Sequence, residues 1–404
     1  MMITLADVKK AQENLKGVAR RTPLFVSSTF SKQTGYEVYL KCENKQKTGS
    51  FKLRGAYNKV ASLTDEERAR GVVASSAGNH AQGVAYAATA FGIKSTICMP
   101  VTAPLAKVQA TKNYGATVIQ HGEVYDDCYA KAVEVQKETG ATFLHPFDDE
   151  YVMAGQGTIA LEILEDLPEV DTIIVPIGGG GIISGIAVAA KAIKPEVKII
   201  GVQAEVIASS KASLEKGEIV TVNGSKSLAD GISVKTPGTK TFEVIKKYVD
   251  EIVTVTEDEI ANAIFSLVER NKVVAEGAGA TPLAALLSGK IKNAGEKVVA
   301  VVSGGNIDIA TVAKIIDRQL VLNERRISIQ FEIKDKIGQL GTLISDIADL
   351  GGNVSKVKHD RNWNPKGLDY SNIEIEIETE SKEHANMIRK SLGAKGYSFE
   401  DSRK

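Results

Sequence analysis

A lysine near the predicted start of a helix is the first candidate for chemistry in this sequence. Lys52 lies in the stretch 47–56, KTGSFKLRGA, which follows a short apolar run at 38–40 and leads into a helical pattern. The helix dipole and partial burial both disfavour a cation there, so they lower the pKa of the amine and make it a better nucleophile. A lysine at a helix start is more often a solvated charge, and position alone does not assign catalysis.

Two further stretches combine a ligand-binding composition with the same kind of position. One is 75–80, SSAGNH, and the other is the four consecutive glycines at 178–181. Each lies where a predicted strand ends and a helix begins, which is where open α/β sheets bind ligands. Glycine backbone N–H groups ahead of the helix from Ile182 favour a phosphate. The alternative for the glycines is a tight turn, but four in a row exceed what a turn needs.

The elements that would position these residues alternate between short apolar strands and helices. This alternation predicts a mostly parallel sheet covered by helices on both faces. We expect residues 50–150 to form a smaller lobe inserted between two parts of a larger one. The predicted strands are 37–41, 72–74, 95–99, 116–119, 171–175, 197–203 and 297–302, and the clearest helices between them are 78–91, 104–113 and 123–139.

The pattern changes after a polar connector predicted at 321–326. Apolar residues alternate from Ile327 to Ile333, and a helical segment follows. The complete order of elements in residues 327–404 is β-α-β-β-α-β, which is typical of a ferredoxin-like domain. We therefore expect a first domain at 1–320 and a second at 327–404.

Composition restricts the class of protein. The 50 basic and 50 acidic residues cancel, so no charge excess points to nucleic acid or a membrane surface. Three cysteines without CxxC spacing (Cys42, Cys98 and Cys128) indicate reduced thiols, and no secretory signal is visible, so a cytoplasmic protein is expected. The uncharged run 173–190 is broken by Pro176 and the glycines, which argues against a membrane span.

Six motifs in order resemble the threonine ammonia-lyases (threonine dehydratases). The resemblance covers residues 1 to about 320 and implies a pyridoxal-phosphate enzyme of fold type II, the tryptophan-synthase-β-like fold. The C-terminal part resembles ACT-type regulatory domains. The motifs are SFKLRG at 50–55, SAGNH at 76–80, AGQGT at 154–158, GGGG at 178–181, EGAGA at 276–280 and SGGN at 303–306.

The resemblance implies how the cofactor is held. Lys52 would carry it covalently and act as the base at Cα. Asn79 would reach its phenolic oxygen, and Ser303 its pyridine nitrogen, where a hydroxyl favours β-elimination over transamination. The complete set of implied cofactor-binding residues is Phe51, Lys52, Asn79, Gly178, Gly179, Gly180, Gly181, Ile182 and Ser303.

The implied substrate site lies mainly at the helix start at 76–80. Its N–H groups would hold the substrate carboxylate. We expect His80 to be a positioned polar residue and not the base, and Glu276 to face the cofactor or substrate. The complete set of candidates is Ser76, Ala77, Gly78, Asn79, His80 and Glu276.

The activity expected from the resemblance is deamination of L-threonine to 2-oxobutanoate and ammonia, with L-serine giving pyruvate as a side reaction. One alternative is a serine racemase/dehydratase, although Ala77 stands where racemases of this fold place a serine. The others are a β-replacing relative and a non-catalytic amino-acid sensor. Gln203 stands where relatives with a divalent-cation site carry a glutamate, so no metal is expected.

Regulation is expected from residues 327–404. The loop 336–340 would bring backbone N–H groups to an effector at a helix start, with Asn353 nearby on a strand. The candidate residues are Gly338, Gln339, Leu340 and Asn353. An amino acid (isoleucine or valine) and a nucleotide (AMP or ADP) both stay open as effector, as do a biosynthetic and a catabolic role. The alternative is a domain that only dimerises, and the family suggests a homo-dimer or homo-tetramer.

Overall fold

The structure is a computed structural model that describes residues 2–362 and 364–402. The chain divides into two compact units, residues 1–308 and residues 309–404. Three groups of strands form three separate sheets, two in the first unit and one in the second.

The larger sheet of the first unit has six strands and is parallel except at one edge. The edge strand Leu24–Val26 pairs antiparallel with its neighbour, and all other pairs are parallel. In sheet order the strands are Leu24–Val26, Glu37–Cys42, Lys297–Val302, Thr172–Pro176, Lys198–Ala204 and Glu251–Val255. Every residue of Thr172–Pro176 is buried, as expected for a strand covered on both faces.

The smaller sheet has four parallel strands and lies in the middle of the stretch predicted for the smaller lobe. In sheet order they are Thr117–Gln120, Ser95–Met99, Val72–Ser75 and Thr142–Phe143. The connecting helices are Asn79–Ala90, Leu105–Asn113 and Tyr125–Thr139. The predicted strands and helices differ from these bounds by one or two residues at their ends, which is ordinary for helix and strand termini.

One helix joins the layers around the two sheets. Lys52–Ala61 packs on Asn79–Ala90 of the smaller sheet and on Glu150–Asp166, which also packs on Gly181–Ile193. The other helices of this unit are Leu5–Leu15, Ser28–Thr34, Asp65–Arg70, Ser209–Lys216, Thr239–Tyr248, Glu257–Ser266 and Gly277–Leu287, with a π-helical segment at Leu267–Asn271 and short 3₁₀ turns at Glu43–Lys45, Glu205–Ile207 and Asp230–Ile232.

The second unit opens with the helix Ile309–Leu322 and then has the predicted β-α-β-β-α-β order. Its strands are Arg326–Lys334, Asn353–Asp360, Tyr370–Glu378 and Ser398–Asp401, and its helices are Gln339–Asp349 and Lys382–Ala394. The sheet is antiparallel with the strands in the order second, third, first, fourth, which is the ferredoxin-like arrangement. Ile327, Ile329 and Phe331 point into one apolar cluster with the helices, as their alternation predicted.

The structure differs from the predicted domain boundary. The division by compactness falls at 308 instead of 320. The segment 321–326 is the end of a helix, a turn and the first residue of a strand. The uncharged run at 173–190 is a strand, a glycine loop and a helix, and no helix among the described residues is long and apolar enough to cross a membrane.

Candidate active site

Lys52 is the first residue of its helix, and its side chain is half-buried. Its Nζ donates to the carbonyl oxygen of Pro146 at 2.7 Å and lies 5.2 Å from the centre of the Phe51 ring. Burial lowers the pKa of Lys52 to about 8, although the carboxylate of Glu276 acts in the opposite direction. With that pKa, roughly a tenth of the amine is neutral at pH 7, far more than for an ordinary lysine.

Backbone pairing fixes Lys52 beside the end of a central strand. Phe51 N donates to Ser303 O at 3.0 Å, and Gly305 N donates to Gly49 O at 2.9 Å. Ser303 directly follows the strand Lys297–Val302 and is buried. The structure therefore brings together Lys52 and Ser303, which are 251 residues apart in the sequence.

A side-chain network adds two more motifs. Asn79 Nδ2 donates to Glu276 Oε1 at 2.7 Å, and Asn306 Nδ2 donates to Asn79 Oδ1 at 2.7 Å and to Thr48 O at 2.9 Å. The amide orientation of Asn79 is thus defined from both sides. These side-chain and backbone hydrogen bonds join four of the six sequence motifs, those at 50–55, 76–80, 276–280 and 303–306.

Glu276 is a buried carboxyl in the first unit. Burial and the nearby charge of Asp230 raise the pKa of Glu276 to about 7, against the opposing effect of the hydrogen bond from Asn79. Gly304 is needed here because a Cβ on it would lie 2.3 Å from Glu276 Oε1. Sequence reasoning on a single glutamate in a loop favours a surface charge, whereas the structure shows a side chain that is only 6% exposed.

The glycine loop presents a row of free backbone donors. Among the described residues, none accepts a hydrogen bond from the N–H groups of 178–182, although all five residues are buried. Buried N–H groups are almost always paired, so five successive free ones indicate an anion site. The loop precedes the helix Gly181–Ile193, whose dipole favours the same charge. These residues fit the phosphate of a pyridoxal-phosphate cofactor.

The stretch 75–80 forms an open helix start. The helix Asn79–Ala90 follows the strand Val72–Ser75, and a Cβ on Gly78 would meet nothing within 4 Å. Ser76 Oγ accepts from Gly78 N at 3.2 Å, and residues 76–79, Ala77 included, are half-buried. The N–H groups at this helix start are therefore accessible to a small anion.

His80 lies behind this helix start. Its Nε2 is 2.9 Å from Leu144 O, and its ring is buried. Burial, together with the charge of Lys52, lowers the pKa of His80 to about 3. The ring is therefore neutral near pH 7, which agrees with a positioned polar residue.

Sequence reasoning missed the loop 145–148 as part of the site. Pro146 accepts from Lys52, and a Cβ on Gly179 would lie 2.4 Å from three carbons of the Phe147 ring. Asp148 holds the loop, because its carboxylate accepts from the N–H groups of 239–241 at the start of the helix Thr239–Tyr248. The available signal was the position of the loop, at the carboxyl end of the strand Thr142–Phe143.

The residue proposed to replace a cation ligand has a role in the fold. Gln203 Oε1 accepts from Lys211 N at 2.9 Å, and its Nε2 donates to Ile177 O at 3.4 Å. Both ends of the Gln203 amide are thus hydrogen-bonded to the backbone, at Lys211 and at Ile177.

The predicted effector residues do not meet within the chain. Gly338 and Gln339 follow the strand Arg326–Lys334 at one end of its sheet, and both are exposed. Asn353 is the strand partner of Glu378, and Glu378 is also the strand partner of Arg326. Arg326 is the first residue of the strand Arg326–Lys334, so Asn353 lies at the opposite end of the sheet from Gly338. The prediction of one site containing 338–340 and Asn353 is therefore wrong for a single chain, because the register of the sheet separates its two parts.

Comparison with known proteins agrees with this geometry. Residues 15–304 match the family described as pyridoxal-phosphate dependent enzyme. The chain belongs to this family and is a pyridoxal-phosphate-dependent enzyme.

Within the family, the chain is similar to proteins of three kinds. It is 54% identical over 396 residues to an L-threonine ammonia-lyase of Thermotoga maritima, which covers 98% of both chains. It is 50% identical over 323 residues to a catabolic L-threonine dehydratase of Staphylococcus aureus, covering 79% of this chain and 93% of the relative. The solved structure of maize serine racemase covers 80% of this chain and 100% of its own, with 37% identity and a TM-score of 0.75.

Proposed function

We propose that this enzyme is a threonine ammonia-lyase, which converts L-threonine to 2-oxobutanoate and ammonia and, more slowly, L-serine to pyruvate and ammonia. The observation that carries the proposal is the amine of Lys52, whose pKa burial lowers to about 8. A backbone hydrogen bond from Phe51 to Ser303 holds it beside Ser303. The name of the Thermotoga maritima relative, which matches nearly the whole chain, supports the same activity.

The residues that would hold the cofactor surround Lys52. The free N–H groups of 178–182 would bind its phosphate, Ser303 its pyridine nitrogen and Asn79 its phenolic oxygen, with Phe51 beside the amine. When bound, pyridoxal phosphate withdraws electrons from the substrate's Cα, so that a Cα proton and a β-hydroxyl can leave.

Lys52 would move the proton. A base works best when its pKa lies near the working pH, and burial brings the pKa of Lys52 to about 8. His80, whose pKa burial lowers to about 3, is too weak a base to compete. The helix start at 76–79 would orient the substrate by binding its carboxylate, which fixes the Cα hydrogen relative to the amine.

Ser303 would favour elimination over transamination. A hydroxyl is a neutral partner, so it would leave the ring nitrogen without a full positive charge and limit the lifetime of negative charge at Cα. Glu276 would help through Asn79, because its hydrogen bond at 2.7 Å sets the direction of the Asn79 amide.

A serine racemase is the second candidate, and the structural likeness to maize serine racemase favours it. Inversion at Cα needs a proton donor on the face opposite Lys52. The resemblance places that donor at position 77, and the methyl group of Ala77 cannot donate a proton. This argues for elimination as the main reaction.

The test is a product assay on the full-length enzyme loaded with pyridoxal phosphate. L-threonine should give equal amounts of 2-oxobutanoate and ammonia, with a higher kcat/KM than L-serine, and D-serine should stay a minor product. Formation of D-serine faster than pyruvate would assign the racemase instead. An enzyme that binds the cofactor and turns over neither substrate would leave a non-catalytic sensor as the explanation.

We also propose that the ferredoxin-like unit is an ACT-like regulatory domain of a cytoplasmic homo-oligomer. The Staphylococcus aureus relative covers only 79% of this chain, whereas the Thermotoga maritima relative covers 98%, so the full-length match includes this unit. Isoleucine, valine, AMP and ADP should be added in turn to the threonine assay. A true effector must also bind more tightly or more weakly when substrate is present, by the same factor.

A domain that only dimerises has no such reciprocity. Regulation would be rejected if none of the four compounds changed the kinetics and if calorimetry showed that substrate does not change the affinity for any of them. Light scattering on the same samples tests the homo-oligomer.

A further inference from the structure

A buried threonine that lies outside the candidate site is hydrogen-bonded to the glycine loop. The hydroxyl of Thr241 donates to the carbonyl oxygen of Gly179 at 2.6 Å, and Gly238 N donates to the same oxygen at 3.4 Å. Thr241 is fully buried in the helix Thr239–Tyr248. Because the hydrogen bond from the hydroxyl is the shorter of the two, Thr241 is the main partner of this carbonyl group.

The direction of the Gly179 carbonyl decides the direction of the next N–H group. A trans peptide unit is planar, so its C=O and N–H bonds point in opposite directions. Since the Gly179 carbonyl points to Thr241, the Gly180 N–H points away from Thr241. This N–H is one of the five buried donors at 178–182 that have no acceptor among the described residues. The hydrogen bond from Thr241 therefore leaves this donor available to an anion.

The loop also packs tightly against the helix that carries Thr241. Gly180 has a φ of +97°, a conformation that glycine adopts far more readily than other residues. A Cβ on Gly180 would lie 2.8 Å from Thr241 Cβ and 2.8 Å from Ile245 Cδ1. The backbone at 179–180 is thus placed by direct contact with this helix as well as by the hydrogen bond.

The start of the helix Thr239–Tyr248 is held by the loop that contacts Lys52. The carboxylate of Asp148 accepts from the N–H groups of residues 239–241 at 3.1, 2.9 and 3.0 Å. These N–H groups are the donors that a helix start leaves without a partner inside the helix, and here Asp148 occupies them. The helix start is therefore not a second anion site, and it acts on the glycine loop through the position of Thr241.

We propose that Thr241 is a positioning residue for the cofactor phosphate, because its hydroxyl turns the 179–180 peptide so that the Gly180 N–H faces the anion. The inference rests on the proposed binding of the phosphate by the glycine loop. Without the hydroxyl, the carbonyl oxygen of Gly179 would be buried with one long hydrogen bond, which favours rotation of the peptide toward another partner. The Gly180 N–H would then turn away from the phosphate, and the cofactor would bind more weakly.

The test compares titrations of the full-length apoenzyme with pyridoxal phosphate and with pyridoxal, which has the same ring and aldehyde but no phosphate. Thr241→Val removes the hydroxyl at nearly constant volume, so Kd for pyridoxal phosphate should rise about five- to thirtyfold. Thr241→Ser keeps the hydroxyl, and its Kd should stay within about twofold of the parent value. Kd for pyridoxal should change by less than about twofold in both variants, because pyridoxal has no phosphate for the loop to bind.

Thr239→Val is the matched control on the same helix. Thr239 is exposed, and its hydroxyl donates to Asp148 instead of to the glycine loop. Its Kd for pyridoxal phosphate should therefore stay within about twofold of the parent value. Thr241→Ala removes the same hydroxyl as Thr241→Val and should show the same loss, so it takes the place of Thr241→Val if that variant does not fold.

Three results would refute the inference. They are an unchanged Kd for pyridoxal phosphate in the variants without the hydroxyl, an equal rise in Kd for pyridoxal, and an equal rise in Thr241→Ser. A parent enzyme that binds the cofactor and is inactive on L-threonine would instead refute the proposed activity. The titrations need no turnover, so they would still decide on the role of Thr241.

Discussion

Lys52 and Arg54 lie two residues apart at the start of one helix, and the structure gives them opposite surroundings. Arg54 donates to Glu43 at 2.8 Å, to Glu162 at 2.7 Å and to the hydroxyl of Thr158 at 3.1 Å. Lys52 donates to one carbonyl oxygen, that of Pro146. Both are basic, but among the residues that the structure describes only the guanidinium of Arg54 donates hydrogen bonds to carboxylates.

The Arg54 surroundings form a balanced cluster. Lys41 Nζ pairs with Glu162, so two basic and two acidic side chains share the same buried space. The partners of Arg54 raise its pKa against the effect of burial, and those of Glu162 lower its pKa. The comparison shows that a buried group with oppositely charged partners stays ionised and serves the structure. A buried group without such partners has a pKa closer to neutrality and can take part in proton transfer.

The largest effect is expected at Lys52. Lys52→Ala should reduce threonine turnover by at least about a thousandfold, because it removes the proposed base and cofactor attachment point. Its circular dichroism and midpoint of unfolding should match the parent, since Lys52 forms no ion pair with any residue that the structure describes. More than trace turnover in this variant would contradict the assignment. Lys52→Arg is the matched control and should also fail, because a guanidinium does not lose its proton.

Substitution of Arg54 should lower stability, in contrast to substitution of Lys52. Arg54→Met should lower the free energy of unfolding by about 3–5 kcal/mol, because it leaves Glu43 and Glu162 buried with one partner fewer. Urea unfolding measures the loss. Lys59→Met on the same helix is the control, because Lys59 pairs with Asp149 at 2.8 Å on a more exposed surface and should cost about 1 kcal/mol or less. Equal losses in the two variants would remove the distinction drawn from Arg54.

Glu276 extends the comparison to an acid that forms no ion pair with the described residues. Its pKa is raised from 4.5 to about 7, so the native state binds its proton more tightly than the unfolded chain does. This favourable contribution is complete below pH 4.5 and is lost as the pH rises through about 7. Between those limits the parent should lose up to about 3 kcal/mol relative to Glu276→Gln. Parallel stability curves for the two proteins, measured by urea unfolding from pH 4.5 to 8, would show that Glu276 is not shielded.

The smallest effect is expected at Ala77, which lacks the hydroxyl that racemases of this fold place at this position. Ala77→Ser places a hydroxyl at the half-buried helix start, and the ratio of D-serine to pyruvate formed from L-serine should rise a few-fold. Chiral chromatography of the products measures the ratio. Ala77→Val adds volume without a proton donor and should leave the ratio unchanged. A similar rise in both variants would attribute it to altered packing.

Much of the fold followed from local patterns. The apolar runs at 172–176 and 297–302 are buried strands, and the alternation from Ile327 to Ile333 became one face of an antiparallel sheet. Such periodicities reflect which face of an element is buried, so they are visible in a single sequence. The boundary at 308 was not predictable in this way, because the helix Ile309–Leu322 carries no local sign of the unit it joins.

The candidate site was predicted as a list of residues and not as a set of contacts. The Asn79–Glu276 hydrogen bond joins residues 197 apart in the sequence, and the Phe147 ring lies against Gly179. Asn353 and Gly338 were placed together from their types, whereas strand register separates them. Residue type indicates what a side chain can bind, but only the path of the chain determines what it meets.

The sequence by itself determined the chemical groups and the order of the elements that carry them. Lys52 at a helix start and four glycines ahead of another helix are local arrangements, and local sterics and hydrogen bonding are sufficient to form them. The tertiary structure alone decided which buried charges have partners. Glu43 and Glu162 come from separate elements to Arg54 and not to Lys52, and that difference in long-range packing separates a structural cation from a reactive amine.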